Sequence, residues 1–426
     1  MITLKSAQKR EQKLVRRIRQ YSASGSIEKA RQSVRLYLHS HAARVAAIHK
    51  ASKKISMELS EDRINQIASE ISPWLGTNEV VRYHVKHKSN GGYRLIYSYD
   101  LRNRALQYLF ARALEATDQN PTTRCDVKGK GRTYAISHVA NLIECGFDHI
   151  VVADIKDCYP TFDSQTLPDL LPLPRKVTRE IITDRPRNRQ RLRNRRQIPQ
   201  LGYRRPPNNN NSGTSNGNYA RGGRLESGLP QGSAASPSVE RYLLGSAVKI
   251  GWSEAIACCY ADNYLSLSTS ASDAGTLHNF LQRFLWNHAA GSFLLVYRQT
   301  TAAKGFDYLG YRLRAISQAG HRKCWIDLTA RNHRKFYESI CLAAETDARN
   351  GSVDVPLLRE TIHRQLNSHN LVSWRAHAEL IISAAVSAEI ELGGRRIRTV
   401  VRQALQTVKR CSRNRRYSAP VDVEDI

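Results

Sequence analysis

The chain has 426 residues, too many for one ordinary core, so two or three packed units are expected. Hydrophobic residues make up 41% of it, which excludes wholesale disorder, and a net charge of +29 calls for an anionic partner, most commonly nucleic acid. No apolar run approaches spanning length, so no membrane partner is expected, and the opening MITLKSAQKREQK lacks a signal peptide's apolar core, which points to the cytoplasm.

Residues 5–56 read as a helical region in two pieces, broken at Ser22–Ser26 with Gly25 as the stop. Leu14 and Ile18 share an apolar face, and Lys9, Arg10, Lys13, Arg16 and Arg17 surround it. Such a basic helix is either a solvated face or an RNA contact, and the total charge favours RNA. Residues 81–99 read as a hairpin: VVRYHVKHK meets SNGG and leaves as YRLIYSY, with Asn90-Gly91 as the turn because both positions tolerate positive φ. A helix follows in LRNRALQYLFARALEAT.

The run DHIVVAD is β-rich and ends in a carboxylate, Asp154. IACCYADNYLSLS has apolar flanks around a Tyr-Ala-Asp-Asn tip, the pattern of a hairpin with an acid at its turn. FDYLGYRL is a short strand candidate, and the chain reads as helical again from about residue 330 to an amphipathic segment ending near Arg410. Between Arg185 and Arg205 fall nine arginines, six of them at alternate positions: Arg185, Arg187, Arg189, Arg191, Arg193 and Arg195. In an extended chain these six line one edge, with about 6.6–6.8 Å between successive members, close to phosphate spacing. The bland alternative is a solubilising loop that runs on into PPNNNNSGTSNGNYARGG.

The eight cysteines form no C-x-x-C pair and read as reduced thiols, with Cys258 and Cys259 as strand-packing residues. His84 and His87 lie close together but lack partners for a zinc site. The two aspartates, Asp154 and Asp262, have a more specific chemistry open to them. Phosphoryl transfer needs charge neutralised on the attacking oxygen and on the leaving pyrophosphate, and two divalent ions held by a few carboxylates do this.

The surrounding motifs carry a resemblance. ADIKDCYPTFD (Ala153 to Asp163) resembles the first palm motif of reverse transcriptases, GLPQGSAASP (Gly228 to Pro237) their second, and YADN (Tyr260 to Asn263) their Tyr-x-Asp-Asp box. FDYLGYRL is similar to the primer-grip strand, KHKSNGGYRLI to the fingers hairpin, and VKGKGRTYAISHVANLI to the segment before the first palm motif. The order matches, over roughly residues 80–315, and the flavour is that of bacterial group II intron-like, retron-like and defence-associated enzymes.

The resemblance implies an α+β right-hand polymerase with fingers, palm and thumb. Residues 1–56 would form a helical extension, 57–150 the fingers and 151–313 an antiparallel palm with an Arg/Asn/Gly-rich insertion at 184–226. Residues 314–426 would form a helical thumb and tail. It further implies RNA-directed DNA synthesis on two Mg2+ ions, with Mn2+ as the alternative, held by Asp154, Asp262 and the carbonyl of Ile155. Tyr159 would be the steric gate against ribonucleotides. Arg94 and Lys88, or Lys86 in its place, would bind the triphosphate, and Gln231 and Gly232 would lie along nucleotide and template. Asp157 and Asp163 are expected to be structural or solvated, and Arg298 and Lys304 are both candidates for the general acid.

The implied partners are dNTPs, a DNA product and an RNA, either template or a dedicated noncoding RNA in anti-phage defence. A homo-oligomer or a complex with a second protein stays open. The sequence departs from the pattern at Asn263, where the family has a second Asp, which removes one negative charge beside the ions. Two rival readings remain: template-independent or protein-primed synthesis by the same site, and a non-catalytic RNA-binding subunit.

Overall fold

The computed structural model describes residues 2–87, 93–118, 125, 130–183, 189–191, 228–318, 320–349, 356–368 and 371–372. They fall into two compact units, one built from 1–122, 155–249 and 280–296, the other from 123–154, 250–279 and 297–426. Asn90, Gly91, most of the arginine series, the expected helix near Arg410 and the acidic tail lie outside the described residues.

The first unit opens with three helices, α1 (Leu4–Ala23), α2 (Ile27–His39) and α3 (His41–Lys54). The expected break falls at Gly25, whose φ of 69° suits a residue without Cβ. A second break, not foreseen, comes at Ser40. Its hydroxyl accepts from the Ala43 amide while its own amide donates to the Tyr37 carbonyl, so one serine ends α2 and caps α3. Ala7, Val15 and Ile18 of α1 are buried with Tyr37, Leu38 and Ile48, whereas Lys5, Lys9, Arg10, Lys13, Arg16, Arg17 and Arg19 are exposed.

The short helix α4 (Glu61–Glu70) leads to the strands β1 (Val81–His87) and β2 (Tyr93–Ser98), antiparallel in the register Lys86 with Arg94 and Tyr83 with Tyr97. After them comes α5 (Leu101–Thr117), fixed to α1 by a half-buried Arg112–Glu11 ion pair at 3.0 Å. Further along the chain are α6 (Arg132–Glu144), β3 (His149–Ile155) and the single-turn helices α7 (Cys158–Thr161), α8 (Leu167–Leu170) and α9 (Arg175–Thr178). The three-residue strand β4 (Arg189–Arg191) pairs parallel to β1, and α10 (Ser236–Leu244) follows the GLPQGSAASP stretch.

In the second unit, β5 (Ala255–Tyr260) and β6 (Asn263–Ser268) form a hairpin; along the chain come α11 (Ala271–Trp286) and β7 (Leu295–Thr301), which the division between the units crosses. One sheet has the order β5-β6-β3-β7. A second sheet is made of β8 (Phe306–Tyr308), β9 (Tyr311–Gln318) and β10 (His321–Leu328), in the order β10-β9-β8. FDYLGYRL is therefore not one strand. Leu309 (φ 47°) and Gly310 (φ 86°) form a tight two-residue turn of the kind that matches strand twist. The Gly310 carbonyl accepts from the Thr329 amide and from the Asn332 side chain at the start of α12 (Ala330–Arg349). The last described helix is α13 (Pro356–Ser368). Ile136 and Ile143 of α6, Leu265 and Leu267 of β6, Phe306, Tyr311 and Leu313, Phe336 of α12 and Leu358 of α13 share one core. No helix among the described residues is long and apolar enough to cross a membrane.

Candidate active site

Successive side chains of strand β3 point to opposite faces of its sheet. On one face Ile150 and Val152 pair across with Leu267 and Leu265 and join the core, and the next residue on that face is Asp154, which is exposed. The apolar surface thus ends where the carboxylate begins. Asp154 lies directly opposite Asn263, and Asn263 in turn opposite Tyr260, so the rim of the sheet reads Asp154, Asn263, Tyr260. Asp262 sits one residue before Asn263 in the two-residue turn. Directly opposed antiparallel residues have Cα atoms about 4.5–5.5 Å apart and neighbours along the chain about 3.8 Å, so the two aspartates are within about 9 Å of each other at Cα.

The turn itself is unusual. Ala261 has φ 52°, a left-handed conformation that costs a non-glycine residue roughly 1–2 kcal/mol. The Cys259 thiol, fully buried in β5, donates to the Ala261 carbonyl at 3.2 Å. Beneath it, burial pushes the Cys258 thiol well above its ordinary range, with Cys125 and Cys259 close by adding to the effect, which makes it a neutral packing group. Asn263 turns its amide onto the neighbouring acid, Nδ2 donating to Oδ1 of Asp262 at 3.0 Å. Where the family resemblance calls for a second carboxylate, this chain has a donor that orients the first.

No group of three or more His, Cys, Asp or Glu residues able to hold a metal ion occurs among the described residues. The β3–β6 rim itself offers a smaller set of oxygen donors, the carboxylates of Asp154 and Asp262. That suits Mg2+, which takes one or two carboxylates from a protein and completes its shell with substrate phosphates and water.

The first unit holds a second group of residues named from the sequence. Tyr159, half-buried, lies in α7, and its carbonyl accepts from the Leu229 amide at 2.8 Å. Two residues on, the Gln231 carbonyl accepts from the Tyr97 amide of β2, also at 2.8 Å. The loop from Gly228 to Gly232 is thereby strung between Tyr159 and the hairpin strand. Both glycines are required by those approaches. A Cβ on Gly228 (φ 87°) would stand 2.1 Å from the Tyr159 carbonyl oxygen, and one on Gly232 (φ 101°) 2.2 Å from that of Tyr97. Gly232, expected to let the backbone approach nucleotide or template, also makes a close approach to β2.

Two further residues brace the loop. The Ser236 hydroxyl donates to the Pro230 carbonyl at 2.9 Å, and the buried Gln107 of α5 accepts from the Ala234 amide at 2.9 Å. The one sequence signal for Gln107 is a glutamine set inside the apolar run of α5. Arg94 is exposed in β2, directly opposite Lys86, while Lys88 lies outside the described residues. Of the arginine series, Arg189 and Arg191 fall in β4, and Arg185, Arg187, Arg193 and Arg195 lie outside. Arg298 lies in β7 and is exposed, as is Lys304 between β7 and β8.

No protein-family model and no curated protein sequence matches the chain. Among solved structures, a Sicinivirus 3Dpol RNA-dependent RNA polymerase is similar over 83% of this chain and 74% of its own, at 10% identity and a TM-score of 0.40. Telomerase from Candida albicans, in complex with a TWJ fragment of telomeric RNA, is similar over 80% of this chain and 67% of its own, at 11% identity and a TM-score of 0.34.

Substituting Gly232 by Ala tests the loop. Strain at the positive φ costs about 1–3 kcal/mol, and the collision with the Tyr97 carbonyl adds to it. Gly232→Ala is expected to lower the thermal midpoint by several degrees, whereas Ala234→Gly, which keeps the Gln107 contact, shifts it by much less.

Proposed function

We propose that the chain is an RNA-directed DNA polymerase, a nucleotidyltransferase that joins dNTPs at the β3–β6 rim. The observation that carries this reading is the register that sets Asp154 opposite Asn263 and beside Asp262 at the end of an otherwise apolar sheet face. Carboxylates at a strand end and at an adjacent hairpin tip are what two-metal phosphoryl transfer requires. The motif order around them supports a reverse transcriptase over other nucleotidyltransferases.

Asp154 and Asp262, with the Ile155 carbonyl, would hold two Mg2+ ions, or Mn2+ in their place. When bound, the ions supply charge neutralisation at the attacking oxygen and the pyrophosphate. Tyr159 would exclude a ribose 2′-hydroxyl, and the loop held between it and β2 would keep Gln231 and Gly232 along the nucleotide. Arg94 and Lys88 would bind triphosphate, Arg as a planar fork and Lys as a point charge. The basic face of α1 and the series Arg185, Arg187, Arg189, Arg191, Arg193 and Arg195 would contact RNA, a template or a dedicated noncoding RNA. A role in anti-phage defence in the bacterial cytoplasm, together with a second protein or a second copy of the chain, extends the same family analogy.

Primer-extension assays test the core of this. Asp154→Asn and Asp262→Asn are expected to abolish incorporation with folding and RNA binding unchanged; normal incorporation by either variant would end the assignment. In the same assay Tyr159→Val is expected to admit ribonucleotides. DNA synthesis that persists after RNA is removed would favour template-independent or protein-primed synthesis, and wild-type protein inactive with every primer would favour a non-catalytic RNA-binding subunit.

Asn263→Asp removes the donor to Asp262 and sets a third carboxylate beside the other two. Without divalent ions the melting temperature of this variant is expected to fall below that of the wild type. Added Mg2+ should then raise it by more than it raises the wild type, since an ion that binds only the folded state stabilises it more the tighter it binds. Half-maximal activity should come at lower Mg2+. An equal response in both proteins would mean that the amide at position 263 does not govern metal affinity.

The arginine series has its own readout. Each phosphate contact contributes roughly 0.7–0.9 to the slope of log affinity against log salt. Replacing the six arginines by Ser is expected to flatten that slope for RNA by several units, and an unchanged slope would leave the segment without an RNA contact.

A further inference from the structure

The hairpin of β9 and β10 has two faces of opposite character. On one, the register pairs Tyr311 with Leu328, Leu313 with Ile326, Ala315 with Cys324 and Ser317 with Arg322. The apolar members of that face join the core beside α6. Arg322 continues the contact, donating to the Ile143 carbonyl at 2.7 Å and to Asp148 at 2.6 Å. Burial pushes the Cys324 thiol up to about 12, as expected of a group turned away from water.

The other face pairs Arg312 with Asp327, Arg314 with Trp325, Ile316 with Lys323 and Gln318 with His321. Near its base Arg312 is paired with Asp307 at 3.1 Å, and Asp327 stands 3.8 Å from His333. Beyond that the outer half carries Arg314, Lys323 and His321, all exposed, and no acid. Lys323 lies 3.9 Å from Glu144 of α6, a partly exposed pair of the kind that holds its partners weakly. In the middle stands Trp325, 40% exposed, with the Arg314 guanidinium 5.7 Å from its ring centroid. A large aromatic held in water by a packed strand, inside a cationic frame, has the makings of a stacking surface for bases.

We propose that this outer face is a platform for a single nucleic-acid strand. One base stacks on the Trp325 indole, and Arg314 closes over the ring edge. Lys323 and His321 take the phosphates of the next step, since residues two apart on β10 advance about 6.6–6.8 Å, a spacing that an extended strand can follow. Nucleic acid is favoured over a protein partner because the outer half of the face carries basic side chains and no acid, which suits a ligand that is anionic at every step. The platform extends the polymerase reading by giving template or product a contact away from the β3–β6 rim, but it is tested by binding alone, so failed catalysis leaves the result standing.

The measurement is fluorescence anisotropy of the full chain with labelled oligothymidylate and, separately, oligouridylate, with no dNTP and no divalent ion. The two arms tell a DNA strand from an RNA strand. Alanine replacement of a stacked aromatic costs between about five-fold and about a hundred-fold in affinity, and Trp325→Ala is expected within that range. Trp325→Phe, which keeps a ring, should stay within a few-fold of wild type. Lys323→Gln should flatten the salt slope by about 0.7. Binding by Trp325→Ala within two-fold of wild type in both arms overturns the proposal. So does an equal loss in Trp325→Phe and Trp325→Ala, or a change confined to self-association in sedimentation.

Discussion

Antiparallel pairing between β3 and β6 commits every side chain of both strands to one face or the other. Ile150 and Val152 meet Leu267 and Leu265 on one side, while Val151 and Ala153 meet Ser266 and Tyr264 on the other, and nearly all are buried. A slip of one residue would exchange the two sets and carry Asp154 to the buried position of Ala153. Placing an ionised carboxylate there without a partner is far more costly than any local contact could offset. The hydrophobic pattern beneath the rim and the cost of burying Asp154 therefore select the same register.

The loop after Gly228 depends on a different kind of constraint. It is short of apolar side chains and is held by backbone groups: the Tyr159 carbonyl at one end, the Tyr97 amide near the other, and the Gln107 side chain beyond. Hydrogen bonds of this kind add only about 1 kcal/mol each, but a buried amide left without one costs more. The two glycines let those bonds close. Tyr159 and Tyr97 are tied to the loop through their main chains, which leaves both rings to be placed by other contacts.

Much of this was legible locally. Asp154 at the end of an apolar β-rich run, Asp262 at a hairpin tip and the stop at Gly25 all follow from local pattern and turn chemistry. The misses share one cause. Ser40 divides a region whose helical periodicity runs straight through it, and Leu309 and Gly310 turn a run that reads as continuous strand. In both places the deciding partners are specific hydrogen-bonding groups, such as Asn332 on Gly310, and hydrophobic pattern does not register them. The contact of Gln107 with Ala234 spans 127 residues, and nothing near either residue announces the other. That Asn263 would turn back onto Asp262 also needed coordinates, since an amide at that position can face either way.

The tip at Ala261 and Asp262 is only two residues long, and its left-handed alanine is held from below by the Cys259 thiol. Such a turn has no slack. An extra residue there would break the facing of Tyr260 and Asn263 that closes the turn, while a lost residue would leave the strands unable to meet. Surface loops elsewhere can lengthen at small entropic cost. Over evolutionary time, insertions and deletions should therefore gather in other connections of this protein, and the spacing from Tyr260 to Asn263 should stay constant even where the letters between them drift.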